Sequence, residues 1–296
     1  FFNENSLYDD GKIQQTIEGL KKLDLCYESE GALWFKTTAL GGEKDKVIVK
    51  SSGEPTYRLP DIAYHVDKFQ RGFEFIVDVF GSDHIATYPD VLAALKALGF
   101  DEKKVKVLIH QFVTILQDGE VVKMSTRKAN YITLDELIAE VGADVVRYFF
   151  LMRSMTSHLN FDLGLAKQQS DENPVYYVQY AHARICSIMR KAEDEKKADD
   201  SDVRLELLEA EQELDLIKIL LQFPEIVEYC AGTFEIHRLA EYLQDVATVF
   251  HKFYHNCRVV SDDVELTKAR LMLCRATRAV LRNGFSVIGI TAPTQM

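Results

Sequence analysis

A basic loop near the middle of the chain has the composition of a polyphosphate-binding site. The loop contains Lys123, Ser125 and Arg127, and it follows the sequence QDGEVV, in which Asp118-Gly119 is typical of a hairpin turn. Ammonium and guanidinium groups neutralise phosphate charge, and exposed backbone N–H groups bind phosphate oxygens. A solvated basic turn has the same composition, so these residues alone leave both interpretations open.

The sequence on either side of the loop predicts the elements that position it. Thr133, three residues ahead of Glu136, predicts a capping box at the start of the helix LDELIAEV. Upstream, the apolar run FEFIVDVF ends at Gly81, which predicts a buried parallel strand and a ligand-facing loop. A helix between Pro89 and Gly99 and a second buried strand, KVKVLIHQFVTIL, follow it. This order predicts half of a doubly wound sheet.

Helices dominate the sequence after the loop. The stretch HRLAEYLQDVATVFHKFYHN carries apolar residues at helical spacing. Pro224 predicts the end of the helix before it, and Gly284 predicts the end of the last helix. The pattern is interrupted between Ser170 and Pro174, where we expect a domain boundary. The predicted fold class is therefore α/β plus all-α, with a helical bundle in the second half.

The composition limits the classes of protein to which the chain could belong. Its 296 residues, 47% apolar and 27% charged, suit a soluble globular protein of two domains. Runs of about 18 apolar residues are absent, and the five scattered cysteines lack Cys-x-x-Cys spacing. The net charge of −11 argues against coating of nucleic acid by bulk electrostatics. We therefore expect a cytoplasmic protein with reduced thiols, no membrane or DNA partner and no metal site.

The sequence Lys123-Met124-Ser125-Thr126-Arg127 resembles the Lys-Met-Ser-Lys-Ser signature loop of class I aminoacyl-tRNA synthetases. The resemblance covers nearly the whole chain and is closest to the bacterial-type arginyl-tRNA synthetases. It implies a Rossmann-type catalytic domain followed by a helical-bundle anticodon-binding domain. Thr126 stands where the signature has its second lysine, a departure that is common in the arginyl family. One phosphate contact must therefore come from elsewhere.

The beginning of the chain suggests that it is part of a longer protein. It starts FFNENSLYDD without a methionine, and it lacks the His-x-Gly-His motif that class I synthetases carry. We expect it to be the C-terminal part of a synthetase that lacks the first half of the catalytic domain. On this interpretation the chain comprises a connecting segment (1–46), a partial nucleotide-binding catalytic domain with the signature loop (47–169) and an all-helical anticodon-binding domain (170–296).

The resemblance implies an arginine site at the start of a predicted helix. In the resembled family a Tyr-x-x-x-Asp stretch lies in the arginine pocket, and Tyr57 and Asp61 match it. Their spacing directs both to one side of a helix start, which Pro60 predicts. A guanidinium group binds well to a carboxylate with a flat surface or hydroxyl beside it. An ordinary helix entrance with an inward-packed tyrosine has the same spacing.

The tetrapeptide GSDH, Gly81 to His84, resembles the Gly-x-Asp-His segment of the same family. Glycine allows close backbone approach to a nucleotide, and a carboxylate suits ribose hydroxyls, although surface loops often contain such residues. The resemblance of the basic loop to the signature loop implies catalytic roles for Lys123, Ser125 and Arg127. It implies ATP binding by Gly81, Asp83, His84, Lys123, Met124 and Ser125.

The C-terminal segments YYVQYAHARI, FYHNCRV and GFSVIGITAPTQM resemble the anticodon-binding domain of arginyl-type synthetases. Aromatic rings near basic groups suit unpaired RNA bases, but aromatic residues on amphipathic helices are also common in cores. Basic residues at four-residue steps share a helix face that could follow phosphates or remain solvated. The candidate tRNA-binding residues are Tyr177, Tyr180, Arg184, Tyr254, Arg278 and Arg282.

These residues together imply a ligase that joins L-arginine to tRNA(Arg) through arginyl-adenylate. ATP with Mg²⁺ would be a substrate complex, and we expect no tightly bound cofactor. We expect a monomer, and we expect the 296-residue chain to be inactive by itself. One alternative is a non-catalytic tRNA-binding module derived from a class I synthetase. Another class I ligase, such as a cysteinyl-type enzyme, is disfavoured because the sequence lacks a cysteine–histidine zinc cluster.

Overall fold

The chain folds into two compact units, Phe1–Phe112 and Val113–Met296. The computed structural model describes residues 1–117, 119–122, 132–197 and 202–296. The predicted phosphate-binding residues Lys123, Met124, Ser125 and Arg127, together with Thr126 and Asp118, lie outside the described residues.

The first unit combines four described helices with a small antiparallel sheet and a parallel pair of strands. Strands β1, β2 and β3 form the antiparallel sheet, and β4 pairs in parallel with β5. Short 3₁₀ turns cover Thr37–Leu40, Ser82–His84 and Glu102–Lys104. In chain order the elements are α1 (Ser6–Asp9), α2 (Lys12–Lys22), β1 (Cys26–Ser29), β2 (Ala32–Phe35), β3 (Lys46–Val49), α3 (Arg58–Gln70), β4 (Ile76–Gly81), α4 (Tyr88–Ala97) and β5 (Val105–His110).

Strand β4 is buried on one face only. Ile76 is 5% exposed, whereas Val77 and Val79 are 40% and 63% exposed. Only the face that carries Ile76 joins the apolar core, to which α3 contributes Ile62 and α4 contributes Leu95. The prediction of a parallel strand is confirmed. The prediction that it is fully buried is wrong for this chain, because the described residues cover one side of the pair.

The segment KVKVLIHQFVTIL forms two strands rather than one. Strand β5 ends at His110 and pairs with β4, whereas β6 begins at Val113 and pairs with strands of the second unit. We expected a second strand with an irregular middle, and the interruption at residues 111–112 divides it, because the two halves of the segment find different hydrogen-bonding partners. Apolar content alone does not reveal where a chain leaves one sheet for another.

The second unit is mainly helical and contains a three-stranded sheet of order β7-β6-β8. A 3₁₀ turn covers Leu205–Leu207. In chain order its elements are β6 (Val113–Gln117), β7 (Glu120–Val121), α5 (Leu134–Val141), α6 (Ala143–Leu151), β8 (Leu159–Asp162), α7 (Leu163–Ala166), α8 (Pro174–Asp194), α9 (Glu211–Leu221), α10 (Phe223–Thr233), α11 (His237–Asn256) and α12 (Val264–Ile288).

One apolar core connects the helices of the second unit with its sheet. Ile115 and Phe161 from the strands belong to the same cluster as Phe250 of α11 and Phe285 of α12. The buried Tyr148 hydroxyl donates a hydrogen bond of 2.9 Å to the Ala240 carbonyl, which satisfies its polar group. Residues that precede position 170 thus share a core with those that follow it, while the functional division at 46/47 and 169/170 stays a prediction.

One predicted helix boundary was wrong because tertiary packing decides it. Helix α12 continues through Gly284 to Ile288, and Gly289, which has a φ of 72°, follows as its C-cap. A Cβ atom at Gly284 would lie 2.5 Å from Leu243 Cδ2, so this glycine allows α11 and α12 to pack closely. The predicted end of the helix before Pro224 is confirmed, because α9 ends at Leu221. Pro224 itself occupies the first turn of α10, where its missing N–H leaves no hydrogen bond unmade.

A buried ion pair joins α9 to α12. Arg270 Nε lies 2.6 Å from Glu213 Oε1, and the Glu213 side chain is only 1% exposed. Glu213 also accepts a hydrogen bond from the Ala210 backbone N–H at 2.9 Å, and Arg270 donates a second bond to the Arg258 carbonyl. Arg270 is therefore a structural residue of the bundle rather than a free basic group on the helix surface.

A search of the helices among the described residues found none with the length and apolar character needed to cross a membrane.

Candidate functional site

The start of α3 brings the two candidate arginine-binding residues together. The Asp61 backbone N–H donates to the Tyr57 carbonyl at 3.3 Å, so their side chains are one helical turn apart. Tyr57 is 56% exposed, and the Arg58 guanidinium lies 5.0 Å from the centre of its ring. An exposed aromatic ring and a carboxylate thus lie one helical turn apart. A guanidinium group binds to both kinds of group.

The sequence predicted that this helix begins at Pro60. In the structure it begins two residues earlier, at Arg58. Leu59 is helical and fully buried, although a residue before proline is biased away from helix. Burial of this leucine in the core offsets that bias. Pro60 is tolerated because the N–H groups of the first helical turn have no partner within the helix.

The carboxylate of Asp61 differs from its neighbours because nothing in the described part of the chain pairs with it. Burial raises the pKa of the Asp61 carboxyl, while the positive charges of His65 and His84 act in the opposite direction. The other enclosed carboxylates nearby all have cationic partners: Asp67 with Lys12 and Arg71, Asp78 with His65 and Lys68, and Asp90 with Arg58. Among these carboxylates, Asp61 is thus the one without a cation at ion-pair distance in the described residues.

A buried polar cluster fixes α3 against β4 directly behind Asp61. Asp78 Oδ2 lies 2.6 Å from His65 Nε2, and its second oxygen accepts from Lys68 Nζ at 3.0 Å. His65 Nδ1 lies 2.8 Å from the Asp61 carbonyl oxygen. Bonds to His65 and Lys68 lower the pKa of the Asp78 carboxyl, although burial opposes them as the largest single influence. This cluster fixes the turn of the helix that carries Asp61.

The GSDH turn follows β4, as the sequence predicts. A Cβ atom on Gly81 would lie 2.7 Å from Asp83 Oδ1, so glycine makes room for that carboxylate. The His84 ring stacks on Phe80 with 4.7 Å between centroids, and its Nε2 lies 3.9 Å from Asp83 Oδ2. The turn is partly exposed and offers a carboxylate, an imidazole and a backbone without a side chain at Gly81.

In the second unit, α8 and α11 build an aromatic cluster of Tyr176, Tyr177, Tyr180, His251 and Tyr254. Tyr176 and Tyr180 stack at 5.9 Å, and His251 lies 4.9 Å from the Tyr177 ring and 5.9 Å from the Tyr180 ring. The Tyr177 hydroxyl donates to Thr248 Oγ1 at 3.3 Å, so this ring is held inside the helix pair. The structure thus joins four of the six candidate tRNA-binding residues, Tyr177, Tyr180, Arg184 and Tyr254.

Arg184 lies between two rings of the aromatic cluster. Its guanidinium carbon is 5.0 Å from the Tyr180 ring centre and 5.4 Å from the Tyr254 ring centre, and it donates a hydrogen bond to the Tyr180 hydroxyl. Tyr254 is 38% exposed. Alternating rings and a planar cation form a surface on which unpaired bases can stack.

Arg278 and Arg282 lie on α12, beside His182 of α8. Burial lowers the pKa of His182, and the charges of the two arginines lower it further. His182 Nδ1 donates to the Pro293 carbonyl at 2.8 Å, and Gln179 donates to the Thr291 carbonyl at 3.0 Å. The C-terminal segment is therefore fixed against α8, an arrangement that the sequence did not predict.

His182 should make the stability of the second unit depend on pH. Its folded pKa is lowered, so the unfolded chain takes up a proton first, near pH 6.5, and stability falls as the pH drops below that value. In His182→Asn the amide can still donate to Pro293, but it does not titrate. We expect urea unfolding followed by circular dichroism to show a smaller loss between neutral and acid pH for this variant. Equal losses would contradict the role of His182.

Three residues in these sites, His251, His65 and Asp78, were not predicted from the sequence. His251 lies three residues before Tyr254 on α11 and thus on the same helix face, which is a signal that the spacing offers. Burial lowers its pKa, and its Nε2 atom is buried without a hydrogen-bond partner in the described structure. His65 and Asp78 have no comparable signal, because only the packing of α3 on β4 brings them together.

Comparisons with known proteins agree with this arrangement. Residues 3–148 match the family model for the class I (R) tRNA synthetase catalytic domain, and residues 178–296 match the DALR anticodon binding domain. The chain is 54% identical to an arginine–tRNA ligase of Salinibacter ruber and 53% identical to one of Chlorobaculum parvum. These matches cover 100% of the chain but 53% and 55% of the relatives. The chain thus spans about half the length of the curated relatives it matches.

Solved structures show the same fold. A crystal structure described as an arginyl-tRNA synthetase of Campylobacter jejuni superposes with a TM-score of 0.86 at 33% identity, over 100% of this chain and 64% of that one. The synthetase of Thermus thermophilus superposes with a TM-score of 0.76 over 97% of this chain and 58% of its own, at 22% identity. The fold is that of a class I aminoacyl-tRNA synthetase catalytic domain joined to a helical DALR domain. Together with the two family matches, these relatives show that the chain belongs to the arginyl-tRNA synthetases.

Proposed function

We propose that this chain supplies the arginine-binding and tRNA-binding parts of an ATP-dependent arginine–tRNA ligase. The observation that carries the proposal is the enclosed Asp61 carboxylate, which has no cationic partner in the described part of the chain. An enclosed carboxylate that lacks a partner is costly to keep charged, and a bound guanidinium would relieve that cost. Tyr57, one turn away, offers its exposed ring and hydroxyl beside the guanidinium.

The nucleotide would lie at the end of β4. The Asp83 carboxylate would bind the ribose hydroxyls, and His84 would provide a further polar contact. Gly81 would allow the backbone to approach the nucleotide closely. The assignment of Lys123 and Arg127 to phosphate charge, of Ser125 to a hydroxyl or backbone contact and of Met124 to the ATP site rests on the family signature and stays a prediction. ATP would arrive with Mg²⁺ as a substrate complex, and the cations of the loop and the metal would stabilise negative charge on the α-phosphate and the departing pyrophosphate.

In the reaction, the arginine carboxylate attacks the α-phosphate of ATP and releases pyrophosphate. A hydroxyl of the terminal tRNA ribose then takes the arginyl group from the adenylate and releases AMP. Positioning and charge stabilisation carry such chemistry, so no side chain of the chain needs to act as a covalent nucleophile. The expectation that the 296-residue chain does not form the adenylate by itself stays a prediction, and the bare face of β4 supports it.

Changing Asp61 to asparagine should weaken arginine binding roughly tenfold to more than a hundredfold. The substitution keeps the shape but removes a charge-assisted hydrogen bond worth about 1.5–3 kcal/mol. Calorimetric titration of the chain with L-arginine and with citrulline measures the effect. Citrulline has a neutral urea group in place of the guanidinium, so Asp61→Asn should remove the preference for arginine while affecting citrulline little.

Asp83→Asn is the matched control for this experiment, because it also neutralises one carboxylate of the same unit. It should leave arginine affinity unchanged and weaken ATP binding. If Asp61→Asn leaves arginine affinity intact while ATP binding fails, the two assignments are wrong or exchanged. A chain that binds tRNA but never arginine would favour the alternative of a non-catalytic tRNA-binding module.

We propose that the aromatic cluster stacks on unpaired bases of the tRNA(Arg) anticodon loop. The exposed edge of Tyr254, the planar cation of Arg184 and the ring of Tyr180 support this proposal, because bases stack on such surfaces. Tyr177 would support the neighbouring rings from inside the helix pair. Arg278 and Arg282 would contact phosphates, since their side chains lie on one face of α12.

Tyr254→Ala should reduce the chain's discrimination between tRNA(Arg) and its anticodon variants. Loss of one stacking contact costs about 1–3 kcal/mol, and Tyr254→Phe, which keeps the ring, should retain discrimination. Arg278→Ala combined with Arg282→Ala should instead weaken the binding of all tRNAs alike. The slope of the logarithm of the binding constant against that of the salt concentration should fall by about one unit per lost phosphate contact. Filter binding at several salt concentrations separates the two effects. Binding that ignores both changes would place the tRNA contact elsewhere.

A further inference from the structure

His65 of α3 lies in the buried polar cluster behind Asp61, and both nitrogens of its ring have a partner. Nε2 lies 2.6 Å from Asp78 Oδ2, and Nδ1 lies 2.8 Å from the backbone carbonyl oxygen of Asp61. The His65 side chain is only 3% exposed, so bulk solvent does not offer either nitrogen another partner. The protonation state of the ring therefore follows from these two contacts.

Both partners of the His65 ring are oxygens that only accept hydrogen bonds. A backbone carbonyl has no proton to donate, and an ionised carboxylate has none either. A neutral imidazole carries one N–H group and one bare nitrogen, so it would direct a lone pair at one of the two oxygens. The imidazolium form has an N–H group on each nitrogen and donates to both oxygens at once.

The Asp78 carboxylate could carry the shared proton instead, but its surroundings favour the ionised form. Its second oxygen, Oδ1, accepts a hydrogen bond from the Lys68 ammonium at 3.0 Å. Burial raises the pKa of the Asp78 carboxyl, but the bonds and charges of His65 and Lys68 together outweigh it and lower the pKa. The carboxylate is therefore ionised, and the proton resides on the ring.

The charge of this ring acts on the Asp61 carboxylate, one helical turn away. Burial raises the pKa of the Asp61 carboxyl, and the positive charge of His65 is the strongest influence that lowers it. His84 and Lys68 act in the same direction as His65, whereas the negative charge of Asp78 opposes them. Of these four groups, His65 is the one that the described structure also bonds to the Asp61 backbone.

We propose that His65 is an imidazolium at neutral pH and a positioning residue of the arginine site, which holds the Asp61 carboxylate ionised and in place for a guanidinium group. The proposal rests on the proposed function, because it takes arginine as the ligand of Asp61. A protonated carboxyl would offer the guanidinium no opposite charge, and charge-assisted hydrogen bonds are roughly twice as strong as neutral ones. Asp78 compensates the buried charge of the ring, which would be costly without a partner.

The His65 ring provides the first test, which needs no ligand. In ¹⁵N-labelled protein, long-range ¹H–¹⁵N spectra distinguish an imidazolium, with two protonated nitrogens, from a neutral ring with one bare nitrogen. We expect the imidazolium pattern at pH 8, where an ordinary histidine, with a pKa near 6.5, is neutral. The His65 signals are those absent from His65→Gln, and contacts with the Tyr64 ring, centred 6.4 Å away, identify them in the unmodified chain. A neutral pattern at pH 8 overturns the proposal.

His65→Gln tests the action of the charge on Asp61. Glutamine can still donate a hydrogen bond to Asp78, but it carries no charge. Because the charge of His65 lowers the pKa of Asp61, its loss should move the titration of the Asp61 carboxyl to higher pH, by roughly one pH unit. The ¹³C shift of that carboxyl, followed against pH, measures the displacement. The other charged groups that act on Asp61 are Lys68, Asp78 and His84, and they are the same in both proteins.

Arginine binding should depend on pH in a corresponding way. At pH 8 the Asp61 carboxylate is ionised in both proteins, so His65→Gln should bind L-arginine about as tightly as the unmodified chain. As the pH falls, Asp61 of the variant takes up its proton first. Below both titration midpoints the variant should therefore bind arginine roughly tenfold more weakly. A purely structural role of His65 would lower the affinity by the same factor at every pH, and that result would overturn the proposal.

Lys12→Met is the matched control, because it removes the cation of an ion pair formed by another enclosed carboxylate of α3, Asp67. Lys12 is not among the charges that act on Asp61, so this variant should lose stability without moving the Asp61 titration. An equal displacement in Lys12→Met and His65→Gln would show that disturbance of α3, rather than the lost charge, causes it, and would overturn the proposal.

The outcomes also separate this proposal from the proposed function. The spectrum of the unmodified chain decides the charge of His65 even if His65→Gln fails to fold. A neutral His65 in a chain that binds arginine removes the role of His65 and leaves the arginine site standing. If the chain never binds arginine, the proposed function fails, and the ¹³C titration still decides whether His65 acts on Asp61.

Discussion

Replacing Asp78 by alanine is expected to lower the free energy of unfolding of the first unit by about 3–5 kcal/mol. The substitution leaves His65 and Lys68 without the carboxylate that both contact, and the His65 side chain is only 3% exposed. Removal of one partner from a buried ionic cluster costs far more than the cluster contributes, because the remaining charge stays desolvated. The Lys68 ammonium also lies 4.4 Å from the Tyr64 ring centre, a contact that offsets part of this loss.

Urea unfolding followed by tryptophan fluorescence measures this effect selectively, because Trp34 lies within Phe1–Phe112. Glu54→Ala is the matched control: it also removes the acid of an ion pair in the same unit, but the Glu54 side chain is 71% exposed. A surface pair contributes at most about 1 kcal/mol, so this control should unfold close to the wild-type midpoint. Equal destabilisation by the two variants would show that the cluster behind Asp61 is not energetically special.

Replacing Arg270 by alanine is expected to destabilise the second unit by about 3–5 kcal/mol. The carboxylate of Glu213 would remain buried with only the Ala210 N–H as a partner. Circular dichroism reports this unit because it contains most of the helices described. Adding Glu213→Gln to Arg270→Ala should recover a large part of the stability, since a buried amide is less costly than a buried carboxylate.

Arg278→Ala is the control for this experiment on the same helix. Arg278 is partly exposed and makes no ion pair in the described structure, so its loss should cost less than about 1 kcal/mol. If Arg270→Ala and Arg278→Ala behave alike, the ion pair with Glu213 contributes little. If Glu213→Gln fails to rescue, lost packing of the arginine side chain, rather than the buried charge, explains the effect.

Local interactions were the part of the fold that the sequence predicted well. The Thr133–Glu136 capping box is confirmed, with Glu136 N–H donating to Thr133 Oγ1 at 3.1 Å and Thr133 N–H donating to Glu136 Oε2 at 2.7 Å. Both bonds span three residues, so residue order is enough to predict them. The apolar stripe of α11 is confirmed for the same reason: periodicity determines which face of a helix is buried.

Contacts between distant residues were the part that could not be predicted. Gly284 was predicted to end a helix, but this glycine instead allows close packing against Leu243 of another helix. That contact joins residues far apart in the sequence. The ion pair of Arg270 with Glu213 has no signal in the sequence, because the two residues lie 57 positions apart. At the candidate arginine site, the sequence spacing predicted that Tyr57 and Asp61 lie one helical turn apart. The pairing of the neighbouring carboxylates, which distinguishes Asp61 from them, depends on the tertiary positions of Lys12, Arg58 and Lys68.

The bare face of β4 has a consequence for how the chain behaves in concentrated solution. Val77 and Val79 on the strand, and Phe75 just before it, are all exposed and alternate with buried residues, so their side chains form one apolar strip. Water covers such a strip at a free-energy cost, and a second molecule that covers it instead gains that free energy. Self-association should therefore compete with ligand binding as the protein concentration rises. A binding constant measured for this chain refers to the monomer only at protein concentrations low enough that further dilution leaves the constant unchanged.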